Sequence, residues 1–192
     1  MIKAETADRT LIIAILCDAF EDNPSVNYLI RRDERRVKRL MALMAYAFDL
    51  CQLSGEAWLS DDRKGCALIL MPHQKKTSLS SAWLDLRLIR QAIGFRQLRA
   101  ALQRERSIKQ LQPKGAHAYL WFIGVARKNQ GRGTGSKLLK QVIANADSKG
   151  LSICLETSVP ENISWYEQFG FRAYNQLDPG HTLYFLKREP GQ

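Results

Sequence analysis

The sequence has few cysteines and no long hydrophobic run, and these absences exclude several classes of protein. Its cysteines form no Cys-x-x-Cys pair and have no histidine close by. They are typical of small core residues in a reducing compartment rather than of disulfides or a zinc site. They are Cys17, Cys51, Cys66 and Cys154. No apolar run is long enough to span a bilayer, and the first residues mix charges, unlike a signal peptide. We therefore expect a cytoplasmic protein that has no membrane segment and binds no metal.

Repeats, linkers and low-complexity tracts are also absent. The chain of 192 residues is long enough for one domain with a full core, so we expect a single domain over residues 1–192. Acidic residues are the minority: 19 Asp and Glu stand against 29 Lys and Arg, for a formal net charge of +10. This charge favours an anionic partner but does not choose among a phosphate-bearing cofactor, an acidic substrate and nucleic acid.

Hydrophobic periodicity predicts an α/β protein in which helices alternate with short strands. The predicted helices are 6–20, a long and bent helix over 27–51, 79–111, one that runs from a glycine-rich stretch to Lys149, and 162–169. The predicted strands are 56–60, 66–71, 116–126, 151–156, 171–177 and 181–187. Gly94 is expected to divide or kink the helical region 79–111.

The helical region 79–111 is amphipathic and strongly basic. Its cations are Arg87, Arg90, Arg96, Arg99, Arg104, Arg106 and Lys109. We interpret them as a solvated outer face; the alternatives are a lid over a substrate site and a patch for an anionic partner. Trp83 and Phe95 are its only aromatic residues, so a platform for stacking nucleic-acid bases is not evident. Nucleic-acid binding is therefore not expected.

A glycine-rich stretch follows the strand that ends near Val125. It contains Gly131, Gly133 and Gly135, and apolar residues at helical spacing come after it. Glycines leave the backbone N–H groups of a helix N-terminus accessible, and these groups bind phosphate. Formal positive charge surrounds the stretch at Arg127, Lys128, Arg132 and Lys137. A pyrophosphate site is the functional interpretation, and a tight turn before a capped helix is the structural one.

The spacing of this stretch fits neither the P-loop nor the dinucleotide-binding fingerprint. It is Gln130-x-x-Gly133-x-Gly135, which resembles the acetyl-coenzyme A (acetyl-CoA) loop of the GNAT superfamily of N-acetyltransferases. A second stretch, one helix and one strand later, resembles the other GNAT signature. Its residues are Asn162, Tyr166, Gly170 and Phe171. Segments 19–24 and 65–72 also resemble one branch of the superfamily, so the resemblance covers most of the chain.

The resemblance implies a fold and a cofactor site. The implied GNAT fold has a mixed, mostly antiparallel sheet flanked by helices, with two central strands that splay apart. The pantetheine arm of acetyl-CoA would lie in that gap against the backbone of 123–125, and its pyrophosphate on the N–H groups of 131–136. The implied cofactor-binding residues are Ile123, Gly124, Val125, Gln130, Gly131, Arg132, Gly133, Thr134, Gly135, Ser136, Asn162 and Tyr166.

The implied reaction is transfer of the acetyl group of acetyl-CoA to a primary amine of a small molecule or peptide. The motif position of Tyr166 implies that it protonates or hydrogen-bonds the coenzyme A sulfur; its alternative role is to pack as a half-buried aromatic. Asn162 either binds the cofactor arm or caps its own helix. Both residues lie one helical turn apart and therefore share a face.

The general base is less clear, because many relatives place a glutamate on the strand before the loop and residues 117–125 contain no carboxylate. Glu156, at the end of its strand, is the first candidate, acting directly or through water. His117 has a suitable pKa but lies at the far start of its strand. His73 is a candidate in a loop. The remaining alternative is a reaction without a general base, in which the amine arrives neutral.

Two hypotheses follow from the sequence. The first is an acetyl-CoA-dependent N-acetyltransferase. The second is a catalytically inactive GNAT-fold module that binds coenzyme A for regulation or contacts RNA; the missing strand carboxylate and the basic helical region motivate it. The sequence does not identify the acceptor substrate. The oligomeric state stays open, with a homodimer as one option.

Overall fold

A computed structural model shows a mixed α/β architecture in which helices flank one sheet. It describes residues 1–74, 79–178 and 180–192, apart from the side chains of Phe95 and Arg96. The strands in this part of the chain are β1 (Ile2–Lys3), β2 (Gly55–Leu59), β3 (Gly65–Leu70), β4 (His117–Val125), β5 (Ser152–Thr157), β6 (Arg172–Leu177) and β7 (Leu183–Arg188). The α-helices are α1 (Arg9–Phe20), α2 (Pro24–Leu29), α3 (Arg36–Ser54), α4 (Leu79–Leu88), α5 (Phe95–Leu111), α6 (Thr134–Asp147) and α7 (Glu161–Glu167).

The strands form a single sheet in the order β1-β2-β3-β4-β5-β7-β6. Neighbours are antiparallel except β4 and β5, which run parallel and pair only between residues 117–119 and 152–154. Beyond Tyr119, β4 continues for six residues with no strand of the described chain on its β5 side. The predicted mostly antiparallel sheet with splayed central strands is therefore confirmed.

A β-bulge lies where β4 separates from β5. Leu68 of β3 is opposite Phe122, whereas the next residue, Ile69, is opposite Leu120, so Trp121 is an extra residue on β4. A bulge bends its strand and increases the local twist. β4 therefore bends near Trp121, where the gap between β4 and β5 begins.

The two faces of the sheet carry separate apolar clusters. On one face, α1 and α3 bury a cluster that includes Ile12, Leu16, Met44, Phe48 and Leu68. On the other face, α6 presents Leu138, Leu139 and Val142 to residues of β4 and β5. These positions of α6 recur at helical spacing, which is why the helix buries that side. Within the described ranges, no helix combines the length and apolar character needed to cross a bilayer.

The prediction of one long helix over 27–51 is wrong. The structure has α2, which begins earlier at Pro24, and α3, which begins at Arg36. Asn23 caps α2 by accepting a hydrogen bond from the Val26 N–H (3.2 Å), and Ile30 is extended and ends it. The connection, residues 31–35, consists of charged residues. Charged residues suit a turn and the solvated part of a helix equally, so hydrophobic periodicity did not reveal the break. Gly94, with φ of 76°, divides the helical region before α5 as predicted.

Candidate active site

A cleft of about 830 Å³ opens where β4 leaves β5. It extends from the end of β4 over the glycine-rich stretch, here called the glycine loop (residues 130–136), to α7. The predicted residues that line it are Ile123, Gly124, Val125, Gln130, Gly131, Gly133, Thr134, Gly135, Ser136, Asn162 and Tyr166. Arg132 is exposed and lies outside the cleft lining. Residues as far apart in sequence as 123 and 166 are thus brought to one place.

One wall of the cleft was not singled out as a site from the sequence. It comes from the end of α1 and the start of α2, with Ala19, Phe20, Asp22, Asn23 and Pro24. The sequence of segment 19–24 resembles one branch of the GNAT superfamily, but that resemblance did not predict that the segment lines the cleft. The wall faces the end of β4.

The end of β4 offers backbone groups to the cleft. The Ala126 N–H donates to the Lys64 carbonyl of the β3 side (3.0 Å), and alternate residues of a strand point the same way. The N–H and C=O of Gly124 therefore also face β3, and those of Ile123 and Val125 face the cleft. The expected hydrogen bonds from Gly124 to the cofactor arm are not available in this geometry.

Gly124 lines the cleft for a different reason. A Cβ on this residue would lie 3.0 Å from the Ala19 Cβ and 3.2 Å from a ring carbon of Phe20. Such distances are too short for ordinary packing, so the absence of a side chain allows α1 to approach β4. Gly124 thus sets the position of the α1 wall.

Gln130 ties the glycine loop to the strand. Its side-chain amide donates a hydrogen bond of 3.0 Å to the carbonyl of Val125. This bond uses the Val125 carbonyl, so the Val125 N–H and the backbone groups of Ile123 remain for an extended ligand. The geometry gives Gln130 a positioning role within the predicted cofactor site.

The glycine loop leaves the N-terminus of α6 open. Gly131 and Gly133 have φ of 72° and 79°, values that residues with a side chain rarely adopt. The Lys137 N–H makes the first helical bond, to the Gly133 carbonyl (2.9 Å). The N–H groups of residues 134–136 precede it and have no helical acceptor. The local structure therefore provides the donors that a phosphate needs.

Two of the four predicted cations around the glycine loop are neutralised by acidic side chains. Lys137 forms an ion pair of 2.8 Å with Asp61 in the β2–β3 turn, and the pKa of Asp61 is lowered chiefly by this contact. Arg127 forms an ion pair of 2.7 Å with Asp22 of the cleft wall. The other two predicted cations are exposed, and the described residues give them no ion pair. Sequence spacing did not show these pairings, because the acids are distant along the chain.

Tyr166 is buried against aromatic rings and reaches the cleft. It packs edge-on to Trp165 and Phe171, with ring centroids 4.8 and 5.5 Å away. No described residue hydrogen-bonds its hydroxyl, and burial raises the pKa of that hydroxyl above its usual value. Tyr166 therefore remains a neutral phenol, and its hydroxyl is available as a donor. The packing role and the predicted catalytic role are compatible in this geometry.

Asn162 does not cap its helix. The cap position of α7 is held by Pro160, and Asn162 is the second helical residue. Its side chain lines the cleft, one turn before Tyr166. Of the two roles proposed from the sequence, the geometry favours contact with a ligand.

Glu156 lies on the opposite face of β5 from Tyr166. Leu155 belongs to the apolar cluster that contains Tyr166, and the next residue of a strand points the other way. The Glu156 carboxylate accepts hydrogen bonds from the Tyr119 hydroxyl (2.5 Å) and from the Gln112 amide (3.3 Å). Burial raises the pKa of Glu156 to about 7. A carboxylate with that pKa can accept a proton near neutral pH.

Glu156 is not among the residues that line the cleft, and neither are the other two candidate bases. His117 is buried at the paired end of β4 and shares a hydrogen bond of 3.0 Å with the Gly115 carbonyl. Burial lowers its pKa. His73 is exposed just after β3, whose last residue Leu70 is opposite Tyr119. Both histidines are therefore on the far side of the point where β4 and β5 part.

Comparison with known sequences identifies the family. Residues 14–171 match the acetyltransferase (GNAT) family. An uncharacterised N-acetyltransferase of Schizosaccharomyces pombe is 30% identical over 185 residues, which are 91% of this chain and 74% of the yeast protein.

Comparison with solved structures supports the fold. A protein of Corynebacterium glutamicum described as histone acetyltransferase HPA2 and related acetyltransferase gives a TM-score of 0.72 at 22% identity, covering 100% of this chain and 96% of the other. Arylalkylamine N-acetyltransferase 2 of Aedes aegypti gives a TM-score of 0.62 at 16% identity, covering 98% and 97%. These similarities are in the fold, whereas the family match and the yeast relative show that the chain belongs to the GNAT family of acetyltransferases.

Proposed function

We propose that residues 1–192 form one domain that transfers an acetyl group from acetyl-CoA to the primary amine of a small molecule or peptide. The observation that carries this proposal is the open edge of β4 beyond Tyr119, which leads to the N-terminus of α6. An extended ligand can pair with such an edge as an added strand. A phosphate can bind to the helix N-terminus at its end.

The residues along the cleft fit acetyl-CoA. The backbone of Ile123 and the N–H of Val125 would bond the amides of the pantetheine arm, and Asn162 would contact the arm from α7. The N–H groups of residues 131–136 would hold the pyrophosphate, with Arg132 and Lys128 supplying positive charge from outside. When bound, acetyl-CoA supplies a thioester, which is an activated acyl group.

Two side chains would handle the protons of the transfer. The amine nitrogen bonds to the acetyl carbonyl carbon and the carbon–sulfur bond breaks, which yields an acetamide and a thiol. Glu156 would accept the proton that the amine gives up, directly or through one water. Tyr166 would donate a proton or hydrogen bond to the departing sulfur. An amine that arrives neutral loses its proton only during the attack, so Glu156 acts at that step.

The placement of these groups on two faces of β5 supports this division. A thioester in the gap between β4 and β5 would have Tyr166 on the α7 side and Glu156 on the α5 side. The amine would then approach from the α5 side, and the thiol would leave toward α7. One proton acceptor and one donor on opposite sides suit an attack and a departure that occur at different faces of the carbonyl carbon.

The structural neighbours are named for acceptors of different chemical classes. Arylalkylamine N-acetyltransferase 2 of Aedes aegypti is named for an amine acceptor, and the Corynebacterium glutamicum protein is described as a histone acetyltransferase. Small amines and peptides are both candidates on this ground. A module without catalysis is not favoured, because Glu156 supplies the titratable group that β4 lacks.

Two measurements on the purified chain test the proposal. Titration calorimetry with acetyl-CoA should give a single binding event. Release of free thiol should then be followed with a panel of amino acids, polyamines, arylalkylamines, aminoglycosides and peptides. A folded protein that gives no heat with acetyl-CoA would rule out the donor site. Binding without turnover of any acceptor would leave only the coenzyme-binding part of the proposal standing.

A further inference from the structure

Four buried side-chain polar atoms have no hydrogen-bond partner in the described residues. One is the Nε2 of His117, at the paired start of β4. The other three are the Nε of Arg104, the Oγ of Ser158 and the Nδ1 of His181. Buried polar groups are nearly always paired, and an unpaired one costs folding free energy. A bound water or a ligand can complete the hydrogen bonds of such atoms.

The sheet and α5 bring these three residues close to Glu156. Ser158 is two residues beyond Glu156, at the end of β5. Ile108 of α5 packs on Leu183 at the start of β7, and His181 is two residues before Leu183. Arg104 lies one helical turn before Ile108, which places it over the same end of β7.

Electrostatics agree with this placement. The positive charge of Arg104 lowers the pKa of both Glu156 and His181, although burial is the largest influence on each. The guanidinium therefore lies within interaction distance of both groups. Phe185 of β7 is opposite Glu156 in the sheet, so the carboxylate and the three unpaired atoms share one end of β5 and β7.

The ring of His181 is held by α2, the helix that begins at the cleft wall. Its Nε2 lies 3.0 Å from the Ser25 hydroxyl, and its ring centroid is 5.2 Å from that of Tyr28. This anchoring fixes the direction of Nδ1. It also connects the cluster to Asn23 and Pro24, which line the cleft on the same helix.

We propose that Arg104, Ser158 and His181 bind the carboxylate of the acceptor, so that the acceptors of this enzyme are amines that carry a carboxylate group. This inference rests on the proposed acetyl transfer and narrows it to one substrate class. A guanidinium N–H and a hydroxyl can both donate to carboxylate oxygens, and charge-assisted bonds of this kind are the strong ones. Glu156 would then meet the amine at the other end of the acceptor, which gives the site an acid end and an amine end.

Matched pairs of amines test the inference. Each pair joins a carboxylate-bearing amine to its decarboxylated counterpart: phenylalanine with phenethylamine, tyrosine with tyramine, and β-alanine with ethylamine. We expect the carboxylate member to have the higher kcat/KM, by about tenfold or more, because a charged hydrogen-bond partner is lost in the other. Equal values, or preference for the decarboxylated member in every pair, would overturn the inference and leave acetyl transfer intact.

Variants assign the preference to Arg104. Arg104→Gln should raise KM for the carboxylate member and bring the ratio within a pair close to one, and Arg104→Lys should restore part of it. Arg106→Gln is the matched control, because Arg106 is exposed two residues along the same helix. An unchanged ratio in Arg104→Gln would overturn the assignment.

A binding experiment separates this inference from the proposed function. If no amine is turned over, calorimetry with phenylalanine and β-alanine on the CoA-saturated protein still reports on the subsite. Binding that is present in the wild type and lost in Arg104→Gln supports the subsite even though acetyl transfer has failed. Absence of binding in the wild type overturns it.

Discussion

The Tyr119 hydroxyl donates a 2.5 Å hydrogen bond to the Glu156 carboxylate across the two central strands. Tyr119 is the last residue of β4 that pairs with β5. The bond therefore spans the point at which the strands part and fixes the carboxylate beside the gap. Gln112, just beyond α5, holds the same carboxylate, so three elements position one titratable group.

The first prediction concerns the pH dependence of turnover. A base must be deprotonated to act, and burial raises the pKa of Glu156 to about 7. The rate should therefore rise with pH between about 6 and 8 and then level off. Glu156→Gln should lower kcat by about 100-fold and remove this rise. Steady-state rates across pH check it, with Glu161→Gln, an exposed carboxylate on α7, as the control. An unchanged profile in Glu156→Gln would exclude Glu156 as the base.

The second prediction separates positioning from chemistry. The hydrogen bond from Tyr119 lowers the pKa of Glu156 against the larger effect of burial. Tyr119→Phe removes that bond, so the pKa should increase and the rise in rate should move to higher pH. Tyr46→Phe is a suitable control, because Tyr46 donates a similar bond of 2.7 Å to Asp85. A profile of Tyr119→Phe that coincides with the wild type would show that the bond does not influence the base.

The third prediction concerns the glycine loop. Gly133→Glu places a carboxylate at the proposed phosphate site and should weaken acetyl-CoA binding by more than about tenfold, since like charges repel. Gly150→Glu is the matched control: Gly150 also has positive φ and open space around it, but it lies after α6, at the other end of the helix. Calorimetry on both variants separates backbone strain from charge. Equal weakening in the two would argue against a phosphate at the loop.

The fourth prediction concerns Tyr166. Phenylalanine keeps the edge-on packing with Trp165 and Phe171 and removes only the hydroxyl. Tyr166→Phe should therefore lower kcat by about tenfold to 100-fold and change acetyl-CoA affinity little. Turnover assays and calorimetry on the same preparation measure the two quantities. If the variant is as active as the wild type, Tyr166 takes no part in the reaction and has only a packing role.

Local patterns were enough to predict much of the fold. The strand, glycine loop and helix around residues 117–147 are encoded by neighbouring residues: an apolar run, glycines in the left-handed region, and apolar positions at helical spacing. The break between α2 and α3 was missed. There, Asp33 accepts hydrogen bonds from the Arg35 N–H and the Arg39 side chain in a polar turn, and a run of charged residues fits a turn as well as the solvated part of a helix.

The site itself was predictable only in part. Glu156 could be placed at the end of a strand, but its pKa depends on burial and on partners 37 and 44 residues away. The same holds for Lys137, whose acidic partner lies in the distant β2–β3 turn. Contacts of this range have no signal in a single sequence, because many different segments can supply a carboxylate or a hydroxyl.

The sequence by itself determined the family, the glycine loop, and the turn spacing of Asn162 and Tyr166, because each of these depends on residues within a few positions of one another. Only the tertiary structure decided which backbone groups of β4 remain free. That depends on the register with β3 and on the divergence of β5. The backbone N–H and C=O of Gly124 face β3, and those of Ile123 face the cleft. The tertiary structure also decided that Glu156 is buried with a raised pKa and accepts hydrogen bonds from Tyr119 and Gln112, because burial and proximity arise only when distant segments pack together.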